Sequence, residues 1–230
     1  MSVEKINQKP LRYFDVIVGL FVAVLIVSNI ASTKLVAIHN LIFDGGTILF
    51  PLAYIFGDIL TEVYGYAKAR RVIWIGFFCL FLTSLTLLIV QYLPAASGWD
   101  DQTSYVKILG FLPRIAIASL IAYLLGEFIN SYVLAKLKIK TAGKYLWIRT
   151  IGSTILGEGA DTVTFTVIAF AGKLSGTDLI NLITTVYFMK VGIEVVCTPI
   201  TYWVVGFLKR KENVDVYDTN TDFTPIKIAK

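Results

Sequence analysis

Two cysteines and one histidine in 230 residues leave little material for disulfides or metal centres. Cys79 and Cys197 both fall within apolar runs, so no disulfide between exposed loops is indicated. His39 has no Cys/His cluster around it, and no metal site is expected. Charge is scarce as well: Asp, Glu, Lys and Arg make up 16% of the chain, against about a quarter in a soluble domain. Catalytic signatures are missing too. "GSTILGEG" (152–159) opens like a phosphate loop, but Glu158-Gly159 stands where Lys-Ser/Thr is needed, and a carboxylate repels phosphate. "IFGD" (55–58) lacks the first glycine of an intramembrane aspartyl protease run, and neither H-E-x-x-H nor G-x-S-x-G occurs. No catalytic residue and no cofactor is assigned. An intramembrane enzyme stays as an alternative only because paired carboxylates can do acid–base work.

Apolar residues, by contrast, are abundant: 56% of the chain is hydrophobic and the mean hydropathy is +0.72. Six stretches, roughly 14–38, 47–64, 72–93, 112–135, 146–171 and 180–208, approach the ~20 residues that a helix needs to cross a ~30 Å hydrocarbon core. The alternating ~10-residue pattern of a membrane barrel is absent. The expected fold is an all-α integral membrane protein with six transmembrane helices. The first stretch is too long for a signal-peptide core and reads as an uncleaved helix. Lysine and arginine set the orientation. Lys5, Lys9 and Arg12, then Lys68, Arg70 and Arg71, then Lys136, Lys138, Lys140 and Lys144, then Lys209, Arg210 and Lys211 flank one side; the opposite loops hold Lys107 and Lys173. Both termini are therefore expected in the cytoplasm. This asymmetry also accounts for the net charge of +5 without any direct nucleic-acid partner. Residues 1–13 read as a cytoplasmic N-terminal segment, 14–208 as the membrane domain, and 209–230 as a polar cytoplasmic tail, of which 212–230 is expected to lack fixed structure.

Within the spans lie ionisable groups that hydrocarbon disfavours by about 2.5–3.5 kcal/mol each. Asp58 and Glu62 stand four apart in the second stretch, Glu158 and Asp161 three apart in the fifth, and Lys190 and Glu194 four apart in the sixth, so each pair shares a helix face. Glu127 and Asn130 lie in the fourth, and Ser28, Asn29 and Lys34 in the first. At ~1.5 Å per residue, Asp58, Glu158 and Lys190 fall ~15–18 Å into their spans, near the midplane. Lys34, Glu62, Arg114 and Arg149 sit nearer helix ends, where they can snorkel. Lys190–Glu194 reads either as a local ion pair or as part of a site. The acid pairs need a cation, a proton or a donor-rich ligand.

The second and fifth stretches also hold Pro51 and Gly57, and Gly152, Gly157 and Gly159. They are the middle helices of two three-helix halves, and "GDILTEV" (57–63) faintly echoes "GEGADTV" (157–163). This suggests an inverted three-plus-three repeat with interrupted helices around a central site.

Taken together, "VSNIASTKL" (27–35), "FPLAYIFGDILTEVYGYAKARR" (50–71), "RIAIASLIAYLLGEFIN" (114–130), "GEGADTVTFTVIAF" (157–170) and "YFMKVGIEVVCTPI" (187–200) resemble the queuosine precursor transporters, a vitamin-uptake-transporter-like family. The resemblance covers nearly all of 14–208. It implies import of 7-cyano-7-deazaguanine and 7-aminomethyl-7-deazaguanine across the bacterial inner membrane, with queuosine in tRNA as their destination. The substrate-binding candidates are Asn29, Asp58, Glu127, Asn130, Glu158, Asp161 and Lys190, with Ser28, Arg114, Phe165 and Glu194 in support. A carboxylate can accept the adjacent ring N–H and NH₂ of a guanine-like edge; Glu158 or Asp161 is expected there. Asn29 and Asn130 are assigned to the carbonyl or ring nitrogen, and Asp58 or Glu127 to a protonated aminomethyl arm. Phe165 reads either as a stacking plate or as helix packing. Proton-linked and facilitated transport are both open, and so is a homodimer, since no G-x-x-x-G seam commits one. The rival reading is the substrate-binding subunit of an energy-coupling-factor type vitamin transporter. Against it, the small residues spaced four apart on helix one are not found: Ala23 is followed by Val27, and Ala31 by Leu35.

Overall fold

The computed structural model describes residues 11–38, 41–109, 113–172 and 174–226. Seven α-helices follow one another: α1 (Phe14–Ala31), α2 (Phe50–Tyr64), α3 (Tyr66–Gln91), α4 (Gln102–Leu109), α5 (Pro113–Lys140), α6 (Leu146–Phe170) and α7 (Gly176–Glu212). Each of the six anticipated stretches holds one long helix, and α4 is an additional short one. A hairpin of β1 (Leu35–Ile38) and β2 (Leu41–Asp44), paired antiparallel, replaces the end of the first anticipated span. Its β-branched and apolar run suits a strand once α1 has stopped at the Ser32-Thr33 pair, whose hydroxyls bond back to the carbonyls of Ser28 and Ile30. His39 lies outside the described residues, as do Lys173 and the side chain of Arg114.

Among the described residues, four helices are long and apolar enough to cross a membrane: α1, α3, α5 from Ile117, and α7. With 15 residues, α2 is ~22 Å long, short of the hydrocarbon thickness. The 25 residues of α6 suffice in length, but glycine, threonine and two acids dilute its apolar character. Beside a buried apolar cluster that includes Phe21, Leu25, Leu60 and Ile73, the bundle buries polar side chains and turns large apolar ones outward. On α7, Lys190, Glu194, Thr198 and Thr201 are buried, whereas Phe188, Val196, Ile200 and Trp203 face outward. Lipid as the solvent explains that distribution.

Neither α2 nor α6 is broken, which corrects the interrupted helices anticipated above. Pro51 occupies the first turn of α2, where its missing N–H has no partner to lose. The glycines of α6 permit close approach to neighbouring helices instead of unwinding their own. The true corner is Gly65, whose φ of 85° turns α2 directly into α3.

One end of the bundle gathers the N-termini of α1, α3 and α6 and the C-termini of α2, α5 and α7. There Glu212 accepts from the N–H groups of Arg12 (3.2 Å) and Tyr13 (2.6 Å). The polar segment after α7, expected to lack structure, crosses this end as a strap. Asp218 accepts from the N–H of Tyr66 (3.0 Å); Arg70 donates to the carbonyls of Asp222 (2.8 Å) and Thr224 (2.7 Å); the Trp74 indole donates to Pro225 (2.9 Å). Phe223 sits between Tyr66 and Tyr132, with the Lys136 ammonium 4.0 Å from its ring centre. These few aromatic anchors supply what the mean polarity of the segment conceals.

The strap is also pH-sensitive, with a definite sign. Burial alone would raise the Asp215 carboxyl, but hydrogen bonds from Lys138 (2.5 Å) and Lys209 hold it below the usual carboxylate range. A depressed folded pKa gives stabilisation that is complete above the unfolded value of about 3.9 and is lost as pH falls through the folded one. Hydrogen-exchange protection across 213–226, taken relative to the intrinsic rate at each pH, is therefore expected to stay constant from pH 7 to 5 and to fall only below about pH 4. In Asp215→Asn the neutral-pH protection should already be reduced; unchanged exchange in that variant rules out the ion pair as a tie.

Candidate functional site

A close crossing of α5 and α6 builds the polar centre. A Cβ on Gly126 of α5 would lie 2.8 Å from the Asp161 Cβ and 3.2 Å from the Gly157 carbonyl oxygen. A Cβ on Gly157 of α6 would lie 2.7 Å from the Asn130 Cβ and 3.0 Å from the Gly126 carbonyl oxygen. Backbone touches backbone, as small residues allow in lipid. The crossing carries Asn130 past Gly157 and Asp161 past Gly126. On the other side, Gly57 of α2 leaves room for Glu127, whose Oε2 would be 2.8 Å from any added Cβ.

Asp58, Glu127, Asn130, Glu158, Asp161, Lys190 and Glu194 are thus all buried, drawn from α2, α5, α6 and α7. Lys190 Nζ lies 2.7 Å from Asp161 Oδ2, as a hydrogen bond, and 2.9 Å from Glu158 Oε2, as an ion contact without hydrogen-bond alignment. This corrects the local Lys190–Glu194 pair: the ammonium reaches across to α6 and leaves Glu194 behind. It also gives the Glu158–Asp161 pair the cation that the sequence alone did not supply. The same ammonium stands 4.4 Å from the ring centre of Phe50, an attractive cation–π contact.

The remaining acids have no such partner. Asn130 donates to Asp58 Oδ1 at 2.7 Å, which leaves Asp58 Oδ2 and Asn130 Oδ1 unmatched. Both oxygens of Glu127 and both of Glu194 are buried without a hydrogen-bond donor among the described residues, as are the hydroxyls of Tyr54, Thr154 and Thr162. The carboxyls lie within electrostatic reach of one another: Glu127 of Glu158, Asp161 and Glu194, and Asp58 of Glu194 and Glu127. Five carboxyl groups share one ammonium. Fully ionised, the group would carry a surplus of four negative charges away from water, which only protons or positively polarised guests offset.

Other candidates fall elsewhere or bond locally. Asn29 is half-buried, and its amide donates to the Leu25 carbonyl of its own helix (2.9 Å); Ser28 does the same from a buried position (3.0 Å). Phe165 meets Phe170 edge-on, the packing reading. The aromatic at the charged centre is Phe50, which the sequence reading missed. Its signal was its place eight residues before Asp58, two helical turns along the same face. Tyr54, one turn before Asp58, was missed for the same reason.

A second charged group closes the basic end of the bundle. Glu62 accepts from Arg149 Nη2 (2.8 Å) and Nε (3.1 Å) and from Lys209 (2.6 Å), with Lys138 Nζ 3.7 Å away. Lys138 also donates to the Glu62 carbonyl and to Val216 (2.5 and 2.7 Å), so the knot ties α2, α5, α6, α7 and the strap together. Glu62 and Arg149, read as capable of snorkelling, are instead 0% and 1% exposed.

Residues 44–204, which contain every buried acid of this centre, match the family described as "Putative vitamin uptake transporter". The chain belongs to that family. Among its relatives, a Bacillus subtilis (strain 168) protein named "Probable queuosine precursor transporter" is 30% identical over 188 residues, 80% of this chain and 82% of its own. A Haemophilus influenzae protein of the same name is 29% identical over 126 residues, 54% of this chain and 51% of its own. An Escherichia coli (strain K12) "Queuosine precursor transporter" is 28% identical over 125 residues, 54% of each chain. No solved structure matches the chain. Family membership and the four apolar helices make this a multi-pass membrane transporter, not an enzyme.

Proposed function

We propose that the chain imports queuosine precursors, 7-cyano-7-deazaguanine and 7-aminomethyl-7-deazaguanine, across the bacterial inner membrane. In this reading α1, α2, α3, α5, α6 and α7 are the six spans, in two inverted halves, and the basic end faces the cytoplasm. The names of the relatives support the substrate class. The observation that carries the site is the buried surplus of acceptors: five carboxyl groups around one lysine. A deazaguanine brings what such a centre lacks, two adjacent N–H donors on a flat apolar body.

The roles follow from that match. Glu158 and Asp161 receive the ring N–H and NH₂, and Phe50 offers the ring face beside them. Glu127 and Asp58 take the protonated aminomethyl arm, for which Glu127 has two oxygens without a donor. When the arm is the neutral cyano group, a proton carried on one of these acids supplies the missing charge, and transport is proton-linked.

The test is rescue of a queuosine-precursor auxotroph, read as queuosine in tRNA at limiting external precursor. The wild-type gene is expected to restore it. Asp161→Ala, at equal membrane abundance, should lower uptake about 10- to 100-fold, the worth of one charge-assisted hydrogen bond. Full uptake by that variant removes Asp161 from the site, and uptake in sealed vesicles that ignores an imposed pH gradient removes the proton.

A further inference from the structure

Resting on that reading of the site, we propose that Lys190 is a built-in stand-in for the substrate, which yields its two carboxylates to the incoming base and moves to Glu194. In this structure Nζ hydrogen-bonds Asp161 Oδ2 (2.7 Å) and lies in ion contact with Glu158 Oε2 (2.9 Å), beside the two oxygens that a guanine-like edge would need. A base cannot bond the same lone pairs while the ammonium holds them. The ammonium must therefore have a second acceptor, because leaving it unpaired in hydrocarbon is prohibitive.

Glu194 fits that requirement on three independent grounds. It lies four residues along the same helix, where side chains are neighbours. It is 1% exposed, and both of its oxygens lack a donor among the described residues. It is also within electrostatic reach of Glu158, so the swing keeps the charge inside one centre. The Phe50 ring, 4.4 Å from Nζ, can hold the ammonium by its face during the transfer. The exchange explains why a lysine with an acid one turn away on its own helix bonds to another helix instead. It also keeps Glu158 and Asp161 compensated while the buried site holds no base.

A double-mutant cycle on purified protein in lipid nanodiscs tests the exchange, with binding of 7-cyano-7-deazaguanine as the readout. Glu194→Gln keeps size and removes the second acceptor's charge, and is expected to weaken binding about 10- to 100-fold. In a Lys190→Met background, where no ammonium needs rehousing, the same change should alter binding less than about threefold. Equal losses in both backgrounds mean that Glu194 touches the base itself, and the exchange is overturned. Wild-type affinity in Glu194→Gln overturns it as well, while leaving the substrate assignment intact. Failure of the wild-type protein to bind the base overturns the functional reading on which the exchange rests. Should Lys190→Met lose monodispersity, Lys190→Gln completes the cycle with the same expected pattern.

Discussion

Glu62→Gln is expected to destabilise the folded protein by about 3–5 kcal/mol, the usual result of removing one partner from a buried ion pair. The exchange is isosteric, so the effect isolates the charge. Lys138 and Lys209 keep Asp215, at 2.5 and 2.9 Å, and Lys138 keeps two backbone carbonyls. Arg149 fares worst. Its two bonds go to the two different oxygens of Glu62, and the amide replaces one of those acceptors by an NH₂ donor; the guanidinium keeps the Lys144 carbonyl and the Thr141 hydroxyl and cannot shed its proton. Thermal unfolding in detergent should show the loss. Adding Arg149→Met to Glu62→Gln should recover part of it, because a buried ion pair replaced by uncharged groups of similar size is often neutral or better. A double variant as unstable as Glu62→Gln alone would mean that the stranded guanidinium is not the source.

The second large effect belongs to the helix crossing. Gly126→Val or Gly157→Val should abolish uptake while the protein still reaches the membrane. At Gly157 an added side chain meets the Asn130 Cβ and Cα and the Gly126 carbonyl oxygen at 2.7–3.2 Å. At Gly126 it meets the Tyr54 hydroxyl and, behind it, the Asp161 Cβ and the Gly157 carbonyl oxygen, which cannot turn away. The helices must part, and overpacking of this kind costs about 1–3 kcal/mol or more. More consequential is the displacement of Asn130 and Asp161, which sit on the two sides of the contact and belong to the binding centre. Gly192→Ala, with nothing within 4 Å of the new carbon, is the matched control and should transport normally. If Gly157→Val transports like the control, the close crossing is not what sets the site.

Much of this arrangement was readable from the chain. The long apolar runs located each long helix, because lipid demands continuous hydrogen-bonded helix and leaves a plain compositional trace. Spacing put Asp58 with Glu62, and Glu158 with Asp161, on shared helix faces, and all four are buried. What spacing could not convey was partnership. Lys190 has an acid one turn away and bonds instead across to α6, a choice made by helix packing. Glu62 and Arg149 are 87 residues apart, and nothing local in either marks the other. Glycine was ambiguous for a related reason: Gly57 and Gly157 signal either a break or a close neighbour, and only the neighbour's position decides. The strap escaped notice because average polarity describes its residues, whereas Phe223 and the carbonyls of Asp222, Thr224 and Pro225 do the anchoring.

The strap bears on how the protein is made. Arg70 and Trp74 emerge from the ribosome about 150 residues before the carbonyls that receive them. During that interval the inner rim around α3 is held only by its neighbouring helices. The carbonyls that fasten it follow α7 in the chain, so this face is closed only after all seven helices have been made and not in step with them.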